Sequence, residues 1–160
     1  MTELRKISKD ELAEKLVLHK KWLKNESGGE RADLSKTDLR GVDLSGAVLR
    51  YVSLSYADLS GANLRGADLS DAILSAANLH GADLSGANLH WTNLNDADLR
   101  GADLRYANLY ETVLCGVDLR EADLRAANLY GTDLYNIRLD ETAFATILAT
   151  LRIVVEKGGE

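Results

Sequence analysis

The chain has 160 residues, and its 19 Lys and Arg against 25 Asp and Glu give a net charge of −6 at neutral pH. That length predicts one domain. The absence of a long apolar run and of a charged-then-apolar N-terminus predicts a cytoplasmic protein with neither a membrane partner nor a secretory signal. A single cysteine, Cys115, cannot make an internal disulfide and fits a reducing compartment.

In chain order, Ser8-Lys9-Asp10-Glu11 reads as a capping box. The segment from it to about Lys24 places Leu12, Leu16, His19 and Leu23 on one helical face. Residues 1–30 are therefore expected to form an amphipathic helical cap, with Lys20, Lys21 and Lys24 on its wet face and an exit loop through Gly28 and Gly29.

From Leu34 to Leu139 every fifth residue is Leu, 22 in succession, and Phe144 takes the next slot. On an α-helix a step of five turns each Leu ~140° from the last and makes no stripe. In one unbroken strand an odd step throws successive leucines onto opposite faces. The period works only if the chain runs extended, turns and resets, so that each Leu returns to one interior. The residue two before each Leu is mostly Ala and shares its inward face, while the residue one before is Asp or Asn in 17 units and is expected to face outward. Nine of the 13 glycines lie two after Leu, the expected corner.

Those corner positions repeat with a longer period: Gly41, Gly46, Tyr51, Tyr56, then Gly61, Gly66, Asp71, Ala76. Four units of five residues predict a four-sided coil that stacks residue n on residue n+20. Residues 31–144 then make an all-β solenoid of ~5.5 coils and ~26 Å. Burying the leucines at ~1.5–3 kcal/mol each offsets much of the chain entropy, so neither cofactor nor metal is expected. Residues 145–160 are expected to complete a C-terminal apolar helix and tail. Because Phe144, Ile147, Leu148 and Leu151 suffice to seal the last coil, Leu151, Ile153, Val154 and Val155 are the expected surface of an end-to-end homodimer.

The tandem units from residue 32 to 144, of the form A(D/N)Lxx as in Ala62-Asn63-Leu64 and Ala67-Asp68-Leu69, resemble the pentapeptide-repeat family. The resemblance implies a right-handed quadrilateral β-helix. It also implies one candidate activity, since some relatives mimic duplex DNA, bind DNA gyrase and protect it from quinolones. Residues 31–140 hold 16 acidic and 10 basic side chains, whereas ~26 Å of B-DNA carries ~15 negative charges, so that mimicry would be poor. DNA mimicry toward gyrase or another topoisomerase is kept as the alternative function, and direct nucleic-acid binding is not expected.

No nucleophile–base pair or phosphate loop stands out, and an enzyme is not expected. His80 and His90 are two sides apart and cannot share a metal. The column Asp43, Asn63, Asp83, Asp103 and Asp123 invites a cation, yet Arg65, Arg105 and Arg125 stand two residues along the same side and predict a salted ladder instead. Aromatic residues are segregated. The side of Leu49, Leu69, Leu89, Leu109 and Leu129 carries Tyr51, His90, Trp91, Tyr110 and Tyr130, and the adjoining side adds Tyr56, Ile73, Val113 and Tyr135. The two Asp/Arg sides have only Tyr106. The expected function is a non-catalytic interaction or scaffold module that presents this edge to an unknown protein partner.

Overall fold

The computed structural model describes residues 4–150. Its elements in chain order are β1 (Arg5–Lys6), α1 (Lys9–Leu23), β2 (Thr37–Asp38) and α2 (Glu141–Thr150). Between α1 and α2 the chain winds as a four-sided solenoid. Parallel bridges join each side to the one 20 residues later, from Asp33↔Ser53 to Asp118↔Arg138, which is the period read from the corner residues. Leu64 N–H donates to the Asp83 carbonyl at 2.7 Å and Asp83 N–H to the Ala62 carbonyl at 2.9 Å, and this pair of bonds recurs along the ladder.

Pairing is short, because a five-residue side must both run and turn. Apart from β1 and β2, the contacts between coils are single-residue bridges. The turn is made at the residue two after each Leu, and from Lys36 to Asn136 this residue has φ between 50° and 72° whether or not it is Gly. Glycine adopts that conformation freely, but Tyr51, Trp91 and Tyr106 hold it against a steric penalty of ~1–2 kcal/mol each.

The interior is filled. Leu49 through Leu124, sixteen successive members of the register, are each 0% exposed, with the small residues before them buried alongside. Where Thr replaces Ala inside, its hydroxyl is satisfied by a leucine carbonyl one coil below, as in Thr92 to Leu69 at 2.8 Å and Thr112 to Leu89 at 2.6 Å. The Asp or Asn before each Leu does more than face water. All seventeen accept a hydrogen bond from the backbone N–H two residues on, at 2.9–3.4 Å, so the side chain folds back onto the corner and is mostly half-buried. A short carboxylate or amide is the side chain with an acceptor at that reach.

At the N-terminal end, Leu12 joins the buried leucine cluster, and Ile7 and Leu16 pack against it. Ser8 Oγ accepts from Glu11 N–H at 3.1 Å, but the Glu11 carboxylate pairs with Arg5, so only half of the expected capping box forms. Arg5 and Lys6 lie parallel to Thr37 and Asp38, a pairing too short to leave a sequence pattern. His19 is fully buried, and its Nδ1 accepts from Ala32 N–H at 3.1 Å. The exit loop passes close to α1: a Cβ on Gly29 would lie 2.3 Å from the Trp22 nitrogen, so only glycine fits.

The C-terminal end departs from the expected register. α2 starts at Glu141, because Asp140 turns the chain. One Asp140 oxygen accepts from Ala143 N–H at 2.8 Å and the other from Glu121 N–H at 2.6 Å. In the helix the inward positions are Ala143 and Ile147, and Phe144, expected inside as the next member of the leucine register, is instead 50% exposed. One residue along a helix is a rotation of ~100°, which carries Phe144 off the inner face. Leu134, Ile137 and Leu139, in the last coil, are only half-buried against the core. The expected dimer residues Leu151, Ile153, Val154 and Val155 lie outside the described residues. Among the described residues, no helix is long and apolar enough to cross a membrane.

Candidate functional site

The solenoid sorts outward side chains by side, because each stacks on its equivalent 20 residues away. On the side of Leu89, Leu109 and Leu129 this places His90, Tyr110 and Tyr130 in one column, with Trp91 at the neighbouring corner. The rings touch in sequence: His90 to Trp91 at 4.5 Å and 57°, His90 to Tyr110 at 5.0 Å edge-on, and Tyr110 to Tyr130 at 5.7 Å, nearly parallel. Trp91 is 56% and Tyr130 72% exposed. Beside them Asn128, Asn108 and Asn88 form an amide ladder that ends on Asp68, each link 3.0 Å.

Two residues of this surface were not singled out in the sequence. Glu111 accepts from Trp91 Nε1–H, and that bond, together with the Tyr110 hydroxyl, holds its carboxyl below the usual range. The corner spacing Trp91–Glu111–Gly131 was the signal for it. Trp22, on α1, meets Tyr51 edge-on at 6.0 Å and stacks on His19 at 5.7 Å. Tyr51 is thereby tied to the helix, with Arg50 over its ring at 5.4 Å, and stands apart from the His90 column. Tyr56 sits near Lys36, 6.0 Å from its ammonium, and Tyr135 is 76% exposed four coils further along the same side. Ile73 is exposed and Val113 half-buried along the edge between the two sides. The nine expected residues thus form one contiguous cluster and several outliers.

The two remaining sides are charged, and most of their arginines pair with aspartates of the same side. Arg100 grips Asp98 through Nε at 2.8 Å and Nη2 at 2.6 Å, and reaches Asp118 of the next coil at 3.9 Å. Arg40, Arg105, Arg120 and Arg125 grip Asp38, Asp103, Asp118 and Asp123 in the same way. The Arg40 guanidinium brings the Asp38 carboxyl down to about 2. Arg65 has no such partner, because Asn63 stands where an Asp would, and Asn63 bonds Asp43 at 3.0 Å instead. No cluster of three or more metal-ligating side chains occurs among the described residues. Cys115 is half-buried, and neighbouring Asp133 pushes its thiol up, away from the reactive thiolate.

The model for pentapeptide repeats matches in eight copies, with overlapping stretches covering residues 30–140. No curated protein matches the chain. Among solved structures, the pentapeptide-repeat protein alr5209 from Nostoc PCC 7120 is 30% identical over 88% of this chain and 100% of its own, with a TM-score of 0.40. The pentapeptide-repeat protein Rfr23 from the cyanobacterium Cyanothece 51142 is 32% identical over 65% of this chain and 84% of its own, with a TM-score of 0.34. QnrB1, a plasmid-mediated fluoroquinolone resistance protein, is 21% identical over 80% of this chain and 90% of its own, with a TM-score of 0.44. On the repeat match, which spans well over half of its length, the chain belongs to the pentapeptide-repeat family, whose members are right-handed quadrilateral β-helices.

Proposed function

We propose that the chain is a non-catalytic docking module of the cytoplasm, capped by its two helices, whose aromatic edge is the surface a partner protein recognises. The observation that carries this reading is the contiguous cluster His90, Trp91, Tyr110 and Tyr130, in which Trp91 and Tyr130 are exposed and His90 and Tyr110 half-buried on one edge, while the leucines behind it fill the interior. Trp91 is held at φ 55°, where glycine would sit without strain, so packing of the corner alone gives no reason for the indole. Large rings presented on a rigid frame lose little entropy on contact and commonly anchor interfaces.

Replacing Trp91 and Tyr110 together with Ser tests the reading. The variant is expected to keep nearly all its thermal stability and to lose the proteins that co-purify with the parent chain. A large drop in stability, with the same proteins still recovered, would show that the rings serve only to staple neighbouring coils. The alternative, DNA mimicry toward gyrase, is disfavoured by the Arg–Asp grips, which neutralise much of the acidity a phosphate-like surface would need. A supercoiling assay with and without the protein separates the two.

A further inference from the structure

We propose that the aromatic edge binds an arginine-rich peptide segment of a partner protein, with a guanidinium over the open face of Trp91 between the carboxylates of Asp71 and Glu111. The proposal rests on the docking reading above and adds the chemistry of the partner.

Charge is distributed unequally among the four sides. Between residues 52 and 136 the two aromatic-bearing sides carry Asp68, Asp71, Asp96, Glu111 and Asp133 and no Lys or Arg. The other two sides hold every arginine of these coils: Arg65, Arg100, Arg105, Arg120 and Arg125. Asp68 lies 4.0 Å from Arg50 of the preceding coil. Asp71, Asp96, Glu111 and Asp133 have no cationic partner among the described residues. Over the same stretch the Asp/Arg sides hold seven acids against five arginines, so the larger excess of acidity lies on the sides that carry the exposed rings, and a complementary surface must bring cations that tolerate aromatic contact.

Asp71, Trp91 and Glu111 are successive corners of one column, in register through Ile73↔Asn93 and Asn93↔Val113. At ~4.8 Å per coil the backbones of Asp71 and Glu111 stand ~10 Å apart with the Trp91 corner between them, and the Glu111 carboxylate reaches the indole N–H. The indole is fixed on both flanks, by its N–H bond to Glu111 and by the His90 ring. Gly131 makes room for Glu111 in this column, since a Cβ there would come within 2.9 Å of Glu111 Cγ. A planar guanidinium can stack on the indole while its edges donate to carboxylates, a combination an ammonium cannot match. A phosphate backbone would be repelled by the same charges.

The test is fluorescence anisotropy of a labelled oligoarginine peptide and its oligolysine counterpart, titrated with the full chain. The arginine peptide is expected to bind about fivefold to thirtyfold more tightly. Trp91→Ala should abolish that preference, and Asp71→Asn with Glu111→Gln should weaken both peptides. Asp103→Asn with Asp123→Asn, the same change in net charge on a far side, should leave both affinities nearly unaltered, and circular dichroism confirms folding throughout. Equal affinity for the two peptides, equal weakening by the two charge pairs, or no binding at all would overturn the proposal. If no arginine peptide binds but the Trp91→Ser, Tyr110→Ser variant still loses its co-purifying proteins, the partner chemistry fails while the docking reading stands.

Discussion

His19 makes the junction between α1 and the first coil sensitive to acid. The imidazole is 0% exposed, and its Nδ1 accepts the Ala32 N–H. Burial lowers its pKa below the ordinary 6.5; the Arg50 carbonyl opposes the shift and Arg31 adds to it. In the unfolded chain the group protonates below 6.5, whereas in the folded chain it resists. The unfolded state therefore binds more protons, and stability falls as pH drops through 6.5. The loss is at most ~1.4 kcal/mol at pH 5.5 and ~2 kcal/mol at pH 5, reached only if folded His19 stays neutral. Aspartates such as Asp38, whose carboxyls are lowered from an ordinary 3.8, lose their contribution well below this window. Urea unfolding at pH 7.5 and pH 5, followed by Trp22 fluorescence in a Trp91→Phe background, measures the effect at the junction. His19→Asn keeps an acceptor near the Nδ1 position but cannot titrate, so its stability should change much less between the two pH values. An unchanged pH dependence in His19→Asn would refute the assignment.

Two further outcomes follow from the register and from the C-terminal end. Leu84 is 0% exposed in the middle of the leucine columns, so Leu84→Ala should cost ~2–5 kcal/mol; Ser85→Ala next to it loses one hydroxyl bond to Asp83 and should cost under ~1 kcal/mol. Equal melting temperatures for the two variants would contradict the inward assignment. For the homodimer proposed through the C-terminal segment, light scattering should report a dimer for the full chain and a monomer for Val154→Glu. A full chain that is monomeric at micromolar concentration, or a variant that remains dimeric, removes that interface.

The leucine register and the 20-residue coil were legible because both are spacings, and a spacing survives any change in the residues between. What escaped the sequence were contacts that spacing does not encode. The Asp or Asn before each Leu was assigned outward from alternation, but its reach back to a nearby N–H is a property of side-chain length. Phe144 was assigned inward by continuing the count, and the count ends where Asp140 caps a helix. His19 was visible on an apolar helix face, but Ala32, the residue that fixes its tautomer, lies thirteen positions away in a different kind of structure.

The candidate surface was partly legible for the same reason. The side of each residue, read from its spacing, brings His90, Trp91, Tyr110 and Tyr130 together, yet it groups Tyr51 with them, because sides carry no information about what the helix claims. Glu111 carries no ring, and only the 20-residue column of corners places it beside Trp91. In this fold the interior asks only for Leu and a small neighbour, so each of the four sides is free to carry its own chemistry, and net charge averages over all of them. The distinction that matters is local. On two sides an Arg follows Asp at a distance of two residues and closes on it; on the aromatic edge Asp71, Asp96, Glu111 and Asp133 have no cationic partner among the described residues. Function in such a solenoid is therefore to be sought by reading each column separately, at intervals of twenty.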